Sequence, residues 1–122
     1  MPELFAVTGK PVFHSKSPQI FNAVFQKLKM QHVYTRLAAG SAKEAVELFK
    51  EMNLKGMNVT SPFKKEIVKF LDKVDFNAKK IGAVNTIVLR KKKLVGYNTD
   101  FLGAVLALEK NGENLKGAKV IV

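Results

Sequence analysis

One stretch constrains the fold more than any other: Asn58-Val59-Thr60-Ser61-Pro62-Phe63-Lys64. Leu54 to Val59 carry a strand out to a polar corner, and Phe63, Ile67, Phe70 and Leu71 then recur at helical spacing. Ser61 is the expected helix cap and Pro62 the first helical residue, where a missing N–H costs nothing. Lys64 would then sit in the first turn, where the positive end of the helix dipole disfavours a cation by roughly 0.3–1 kcal/mol. A solvated surface lysine is the plain account of that position. The sharper account is a lysine held beside a bound polar ligand, its proton affinity shifted towards acid–base work.

The rest of the chain alternates in the same way. Leu4 to Gly9 reads as a strand, followed by the loop Lys10-Pro11-Val12-Phe13-His14-Ser15-Lys16 and a helix opened by Ser17-Pro18. Ile20, Phe21, Val24, Phe25 and Leu28 give that helix one apolar face. His32 to Ala38 is a second strand. Ser41 and Glu44 form a capping box for a helix reaching about Met52, with Ala45, Val46, Leu48, Phe49 and Met52 inward. Asp72 to Ile81 shows weak periodicity and reads as irregular or a short helix. Ile87 to Arg90 and Leu94 to Tyr97 flank a lysine turn and predict an antiparallel hairpin. Thr99 caps a last helix built on Leu102, Val105, Leu106 and Leu108 and stopped at Asn111-Gly112. The expected fold is α/β: an open, mostly parallel sheet with one antiparallel hairpin strand and helices on both faces, a three-layer sandwich. Residues 1–112 form one domain, and Lys119 to Val122 begin a fresh strand after a linker.

Composition narrows the function classes. With 47% hydrophobic residues in 122, disorder is not expected, and no apolar run approaches the roughly 20 residues of a membrane span. Met1 to Lys10 lacks the pattern of a signal peptide. The absence of cysteine removes disulfide and thiolate chemistry and suits a cytoplasmic protein. His14 and His32 lack metal-ligand spacing, so no metal is expected. The formal charge of +11 raises nucleic acid as a partner. Yet the lysines are scattered over helix faces and one hairpin tip, not interleaved with aromatics, so neither nucleic acid nor membrane is expected. A nucleic-acid binder would shift DNA at low salt and lose it as salt rises. The oligomeric state is left open by the sequence.

In an open α/β sheet, ligands sit beyond the carboxyl ends of the parallel strands. Ser15 and Ser17 follow the first strand, and Asn58, Thr60 and Lys64 follow the third. If the second hairpin strand runs parallel to the first strand of the chain, Asn85, Thr86, Asn98, Thr99 and Asp100 share that edge. Singly, each is explained by a cap, a turn or a first-turn acid. Together, hydroxyls, amides, one lysine and one carboxylate converge where a polyhydroxylated anion could bind. The residues alone do not name the reaction.

The segments Gly9–Pro18, Asn58–Lys64, Gly82-Ala83-Val84-Asn85-Thr86 and Gly96-Tyr97-Asn98-Thr99-Asp100 resemble, in order and spacing, the motif series of shikimate dehydrogenases. The resemblance implies NADPH-dependent, reversible reduction of 3-dehydroshikimate to shikimate, on the route to chorismate and the aromatic amino acids. It implies that Ser15 and Ser17 hold the substrate carboxylate and that Asn58, Thr60, Asn85 and Asp100 bind ring hydroxyls. It makes Lys64 the catalytic lysine, with Asp100 its partner. Physically, a cationic acid stabilises the negative charge that develops on a ketone oxygen as it is reduced. Asp100 would favour the charged lysine, while burial and a helix terminus would oppose it.

Three features depart from the family pattern. Phe21 stands where histidine is common before Asn22, and Phe101 follows Asp100 where glycine is common; both alter packing more than chemistry. The third is that no Gly-x-Gly-x-x-Gly follows the strand at Lys119 to Val122. NADP is therefore expected to bind a C-terminal dinucleotide-binding domain of which residues 113–122 are the linker and first strand, and the isolated chain is expected to be inactive. A quinate/shikimate dehydrogenase and a non-catalytic shikimate-binding module are the alternative readings. Relative turnover of quinate and shikimate separates the first from the main reading, and ligand binding without any turnover defines the second.

Overall fold

The computed structural model of the chain describes residues 2–100 together with Leu106 and Lys110. The first strand, β1 (Leu4–Gly9), pairs in parallel with β2 (Val33–Ala38) on one side and with β3 (Gly56–Val59) on the other. The hairpin strands β5 (Thr86–Arg90) and β6 (Lys93–Tyr97) follow, β5 antiparallel to both β3 and β6. A two-residue edge strand, β4 (Lys73–Val74), runs parallel to β6, giving the order β2-β1-β3-β5-β6-β4. Of the six strands only β5 is reversed, so β6 runs parallel to β1, as an edge shared by the polar segments requires.

The two sheet faces follow from the register. Ala6 opposes Met57, Met57 opposes Ile87, and Leu89 opposes Leu94; this face is the main core. The helix α2 (Ala42–Glu51) covers it with Ala42, Ala45, Val46 and Phe49. Ile67 of a 3-10 helix (Glu66–Phe70) and Ala78 of α3 (Phe76–Ile81) complete the layer. Phe49 is 1% exposed; burying such a side chain is worth about 1.5–3 kcal/mol. On the other face, α1 (Ser17–Lys27) sets Phe25 against Phe5 near Tyr34 and Val7.

Capping explains several boundaries. Ser41 accepts the Glu44 N–H at 3.1 Å, and Glu44 reaches back to the Gly40 N–H at 3.0 Å, so the α2 capping box forms one residue wider than predicted. Gly82 closes α3 in the left-handed region at φ 81°, where a Cβ would be strained.

Three local expectations fail. No helix starts at Ser61-Pro62: residues 61–65 are turns and bends, and the 3-10 helix begins at Glu66. The Ser61 carbonyl accepts the Lys10 N–H at 3.1 Å, so it is committed to the loop after β1 and cannot seed a helix. Lys64 is thus free of the helix-dipole penalty assigned to it above. Ser17 is not a cap either; it lies inside α1, whose cap residue is Lys16, and its N–H donates to Ser15 Oγ at 3.3 Å. Finally, Met52 of the expected inward face of α2 is 41% exposed, because it lies past the last helical turn. The stretch from Asp72 to Ile81, read as irregular or a short helix, contains the edge strand β4 and the short helix α3. Thr99, Asp100, Leu106 and Lys110 are helical, so Thr99, like Ser17, lies inside its helix and does not cap it; the remainder of the last predicted helix and the expected strand at 119–122 lie outside the described residues.

Candidate active site

The carboxyl ends of β1, β3 and β6 and the amino end of β5 meet at one sheet edge. The loop after β1 carries Ser15 and leads into Ser17 at the start of α1. Asn58 and Thr60 stand at the end of β3, Asn85 just before β5, and Thr99 and Asp100 just after β6. The seven residues given a ligand or catalytic role above (Ser15, Ser17, Asn58, Thr60, Lys64, Asn85 and Asp100) line one cavity of about 420 Å³, whereas Thr86 and Asn98 of the same edge do not. That volume lies within the roughly 300–1,000 Å³ of small-molecule sites. Val7, Pro11, His14, Phe21, Val59 and Thr99 complete the wall.

Backbone pairings fix these positions. Thr60 N–H donates to the Thr8 carbonyl at 2.9 Å, extending the β1–β3 ladder into the corner. Gly9 permits that approach: a Cβ on it would collide with Thr60 Cγ2 and crowd the Ser61 carbonyl. The Lys64 carbonyl accepts Val84 N–H at 2.8 Å, which ties the lysine's turn to the segment before β5.

A side-chain network runs along the cavity floor. Asn58 and Thr86 face each other across β3 and β5, and Asn58 Nδ2 donates to Thr86 Oγ1 at 3.2 Å. Thr86 Oγ1 donates to Asn85 Oδ1 at 3.0 Å, and the same oxygen accepts the Thr99 N–H at 2.9 Å. Asn85 Nδ2 donates to Thr99 Oγ1 at 2.9 Å. Asn85 is 8% exposed and hydrogen-bonded through both side-chain amide atoms, so it is a satisfied buried group and not merely a turn former. Lys64 Nζ meets Asp100 Oδ2 at 2.9 Å, with side-chain exposures of 36% and 63%. Solvent screens a pair that open, so its interest is positional and not energetic.

Sequence reading missed two supports. Arg36 on β2 donates from Nη2 to the Ser15 carbonyl and to Gln19 Oε1, pinning the serine loop. Tyr34, 4% exposed, donates its hydroxyl to Asn58 Oδ1 at 2.6 Å. Burial pushes its phenol up to about 12 against a smaller opposing effect of the Ser17 hydroxyl, so it stays a proton donor at neutral pH. The one available signal was alternation: Tyr34 and Arg36 project from the same face of β2. His32, by contrast, is engaged elsewhere: its Nδ1 accepts the Glu3 N–H at 3.0 Å. Among the described residues no group of three or more His, Asp or Glu side chains could hold a metal, and no helix is long and apolar enough to cross a membrane.

Comparison with known proteins agrees with this architecture. A family model described as the shikimate dehydrogenase substrate binding domain matches residues 7–87. A shikimate dehydrogenase (NADP(+)) of Dehalococcoides mccartyi strain CBDB1 is 46% identical over 110 residues, covering 88% of this chain and 38% of the relative. The crystal structure of Listeria monocytogenes shikimate 5-dehydrogenase in complex with shikimate and NAD superposes with a TM-score of 0.85 at 39% identity, over 93% of this chain and 40% of that one. The ligand-free 5-ketofructose reductase of a Gluconobacter strain matches with a TM-score of 0.82 at 26% identity, over 90% of this chain and 40% of that one. The chain spans about two fifths of the length of such relatives. On its motifs, its strand order and its family match together, the chain belongs to the shikimate dehydrogenase substrate-binding domain family.

Proposed function

We propose that this chain is the substrate-binding, proton-donating part of an NADPH-dependent shikimate dehydrogenase that interconverts 3-dehydroshikimate and shikimate. The observation that carries the reading is the Lys64–Asp100 contact on the wall of a cavity whose other polar residues are, apart from His14, hydroxyls and amides. In the reducing direction, charge grows on the ketone oxygen. Lys64 as ammonium stabilises that charge and gives up a proton to the oxygen; in the oxidising direction it takes the proton back. Asp100 aims the ammonium and accepts from a ring hydroxyl. Ser15 and Ser17 donate to the carboxylate, and Asn58, Thr60 and Asn85 hold the ring hydroxyls. A site that pairs buried amides with hydroxyls rejects analogues lacking one, by roughly 10⁴-fold in the strongest cases.

NADP(H) supplies the hydride when bound. The described residues do not fit its pyrophosphate, since their glycines form no Gly-x-Gly-x-x-Gly turn. Its site therefore belongs to residues outside the described part. A cytoplasmic location suits a biosynthetic step of this kind.

The test is turnover by the full-length enzyme with shikimate, quinate and 5-ketofructose offered in parallel. The last is included because the fold match to a 5-ketofructose reductase shows that this architecture also occurs in an enzyme for another polyhydroxylated ketone. Shikimate should give the highest kcat/KM. Preference for either competitor would overturn the assignment.

A further inference from the structure

Tyr34 sits two strands away from Asn58. It opposes Phe5 on β1, whereas Asn58 opposes Val7, so the tyrosine ring must reach across β1 to meet the amide. The cost of ordering such a reach is met by packing. Phe21 of α1 stacks on the ring with centroids 4.5 Å apart and planes 3° apart, and Asn22 clamps the Tyr34 backbone through both its amide atoms at 2.8 and 2.9 Å. Phe21 is the residue that replaces the family's common histidine, and here it gives the phenol ring a flat apolar wall.

The direction of each hydrogen bond is fixed by chemistry. An amide oxygen only accepts, so the single Tyr34 proton goes to Asn58 Oδ1. Asn58 Nδ2 then faces acceptors, Thr86 Oγ1 at 3.2 Å and, at the limit of bonding distance, the Asn85 carbonyl at 3.5 Å. A turned-over amide would set Oδ1 against that carbonyl. Tyr34 itself is absent from the cavity wall.

We infer that Tyr34 is a positioning residue: it acts on the ligand only through Asn58, holding the Asn58 amide in one orientation ready for a ring hydroxyl. The inference rests on the proposed reading of this cavity as a shikimate site. Preorganisation of this kind strengthens binding by removing the cost of ordering the amide on contact.

The experiment is a double-mutant cycle on the 122-residue chain with shikimate as probe, by calorimetry, together with the side-chain amide signals of Asn58 in ¹H–¹⁵N spectra, assigned by their loss in Asn58→Ala. Tyr34→Phe removes one oxygen and keeps the buried ring, so the fold should survive. It should weaken shikimate binding about three- to tenfold, the worth of one neutral hydrogen bond. In the Asn58→Ala background the same change should weaken binding far less. The Asn58 amide signals should shift and exchange faster in Tyr34→Phe, while β1 and β3 backbone amides keep their positions. An equal loss in both backgrounds, or unmoved Asn58 signals, would overturn the inference. If the parent chain binds no shikimate, the cycle is run on the full-length enzyme, where absent binding would overturn the proposed function, and the amide signals alone still decide whether Tyr34 holds Asn58.

Discussion

The two faces of the sheet are built to different standards. Towards α2, Ala6, Met57, Ile87 and Leu94 are at most 2% exposed and meet Phe49, Val46 and Ile67 in one continuous core. Towards α1, the buried cluster among the described residues is small, Val7, Val12 and Tyr34, and Ile20, Val24 and Leu28 stand at 62%, 47% and 63% exposure. The polar network belongs to this second, thinner face: Asn58, Thr86 and Tyr97 share one register row with Val7 and Arg36. Burial is thus concentrated on one side of the sheet and the polar network of the cavity on the other. Groups can be tuned for binding on a face that does not carry the fold.

Substitutions on the two faces should therefore part company. The largest effect is expected at Phe49. Removing its ring from the closed face should cost about 3–5 kcal/mol of stability. Chemical denaturation of Phe49→Ala would check this, and a loss under 1 kcal/mol would show that the core is looser than its burial indicates. Next come the serines. Ser15→Ala and Ser17→Ala should each weaken shikimate binding by about 1.5–3 kcal/mol, the range for hydrogen bonds to a charged group. Because Ser17 is not the cap of α1, its removal should leave the melting temperature nearly unchanged, which sets it apart from a capping serine such as Ser41. Calorimetric titration beside thermal unfolding separates the two effects. The smallest change belongs to the open side of α1. Leu28→Ala should alter stability by less than about 0.5 kcal/mol, as for other exposed positions. A larger loss would mean that this face is covered in solution.

The sequence made the sheet legible where its pattern was local. Alternation and glycine punctuation marked β1, β3 and the lysine hairpin, and Ser41 with Glu44 announced α2. The polar edge was legible too, because strand direction alone decides which loops share it. What escaped was non-local. The Ser61-Pro62 pair carries every local sign of a helix start, but the Lys10 N–H, 51 residues earlier in the chain, takes the carbonyl that a helix would need. Tyr34 resembled any buried aromatic of a strand, since its partner Asn58 lies 24 residues away. Apolar spacing in α1 implied a buried face; it does not say whether the layer above that face is present.

The central claim is that Lys64 does chemistry without supporting the fold. Its 2.9 Å contact with Asp100 is half open to solvent, so losing it should leave folding intact. Steady-state kinetics of Lys64→Ala in the full-length enzyme, with shikimate affinity and thermal unfolding measured on the same preparation, test this most directly. On the proposed role of Lys64, kcat should fall by roughly 10²–10⁴-fold, with affinity reduced far less and the melting temperature unchanged. That is the pattern of an interaction made mainly in the transition state. A near-normal kcat, or a loss that follows unfolding, would contradict it.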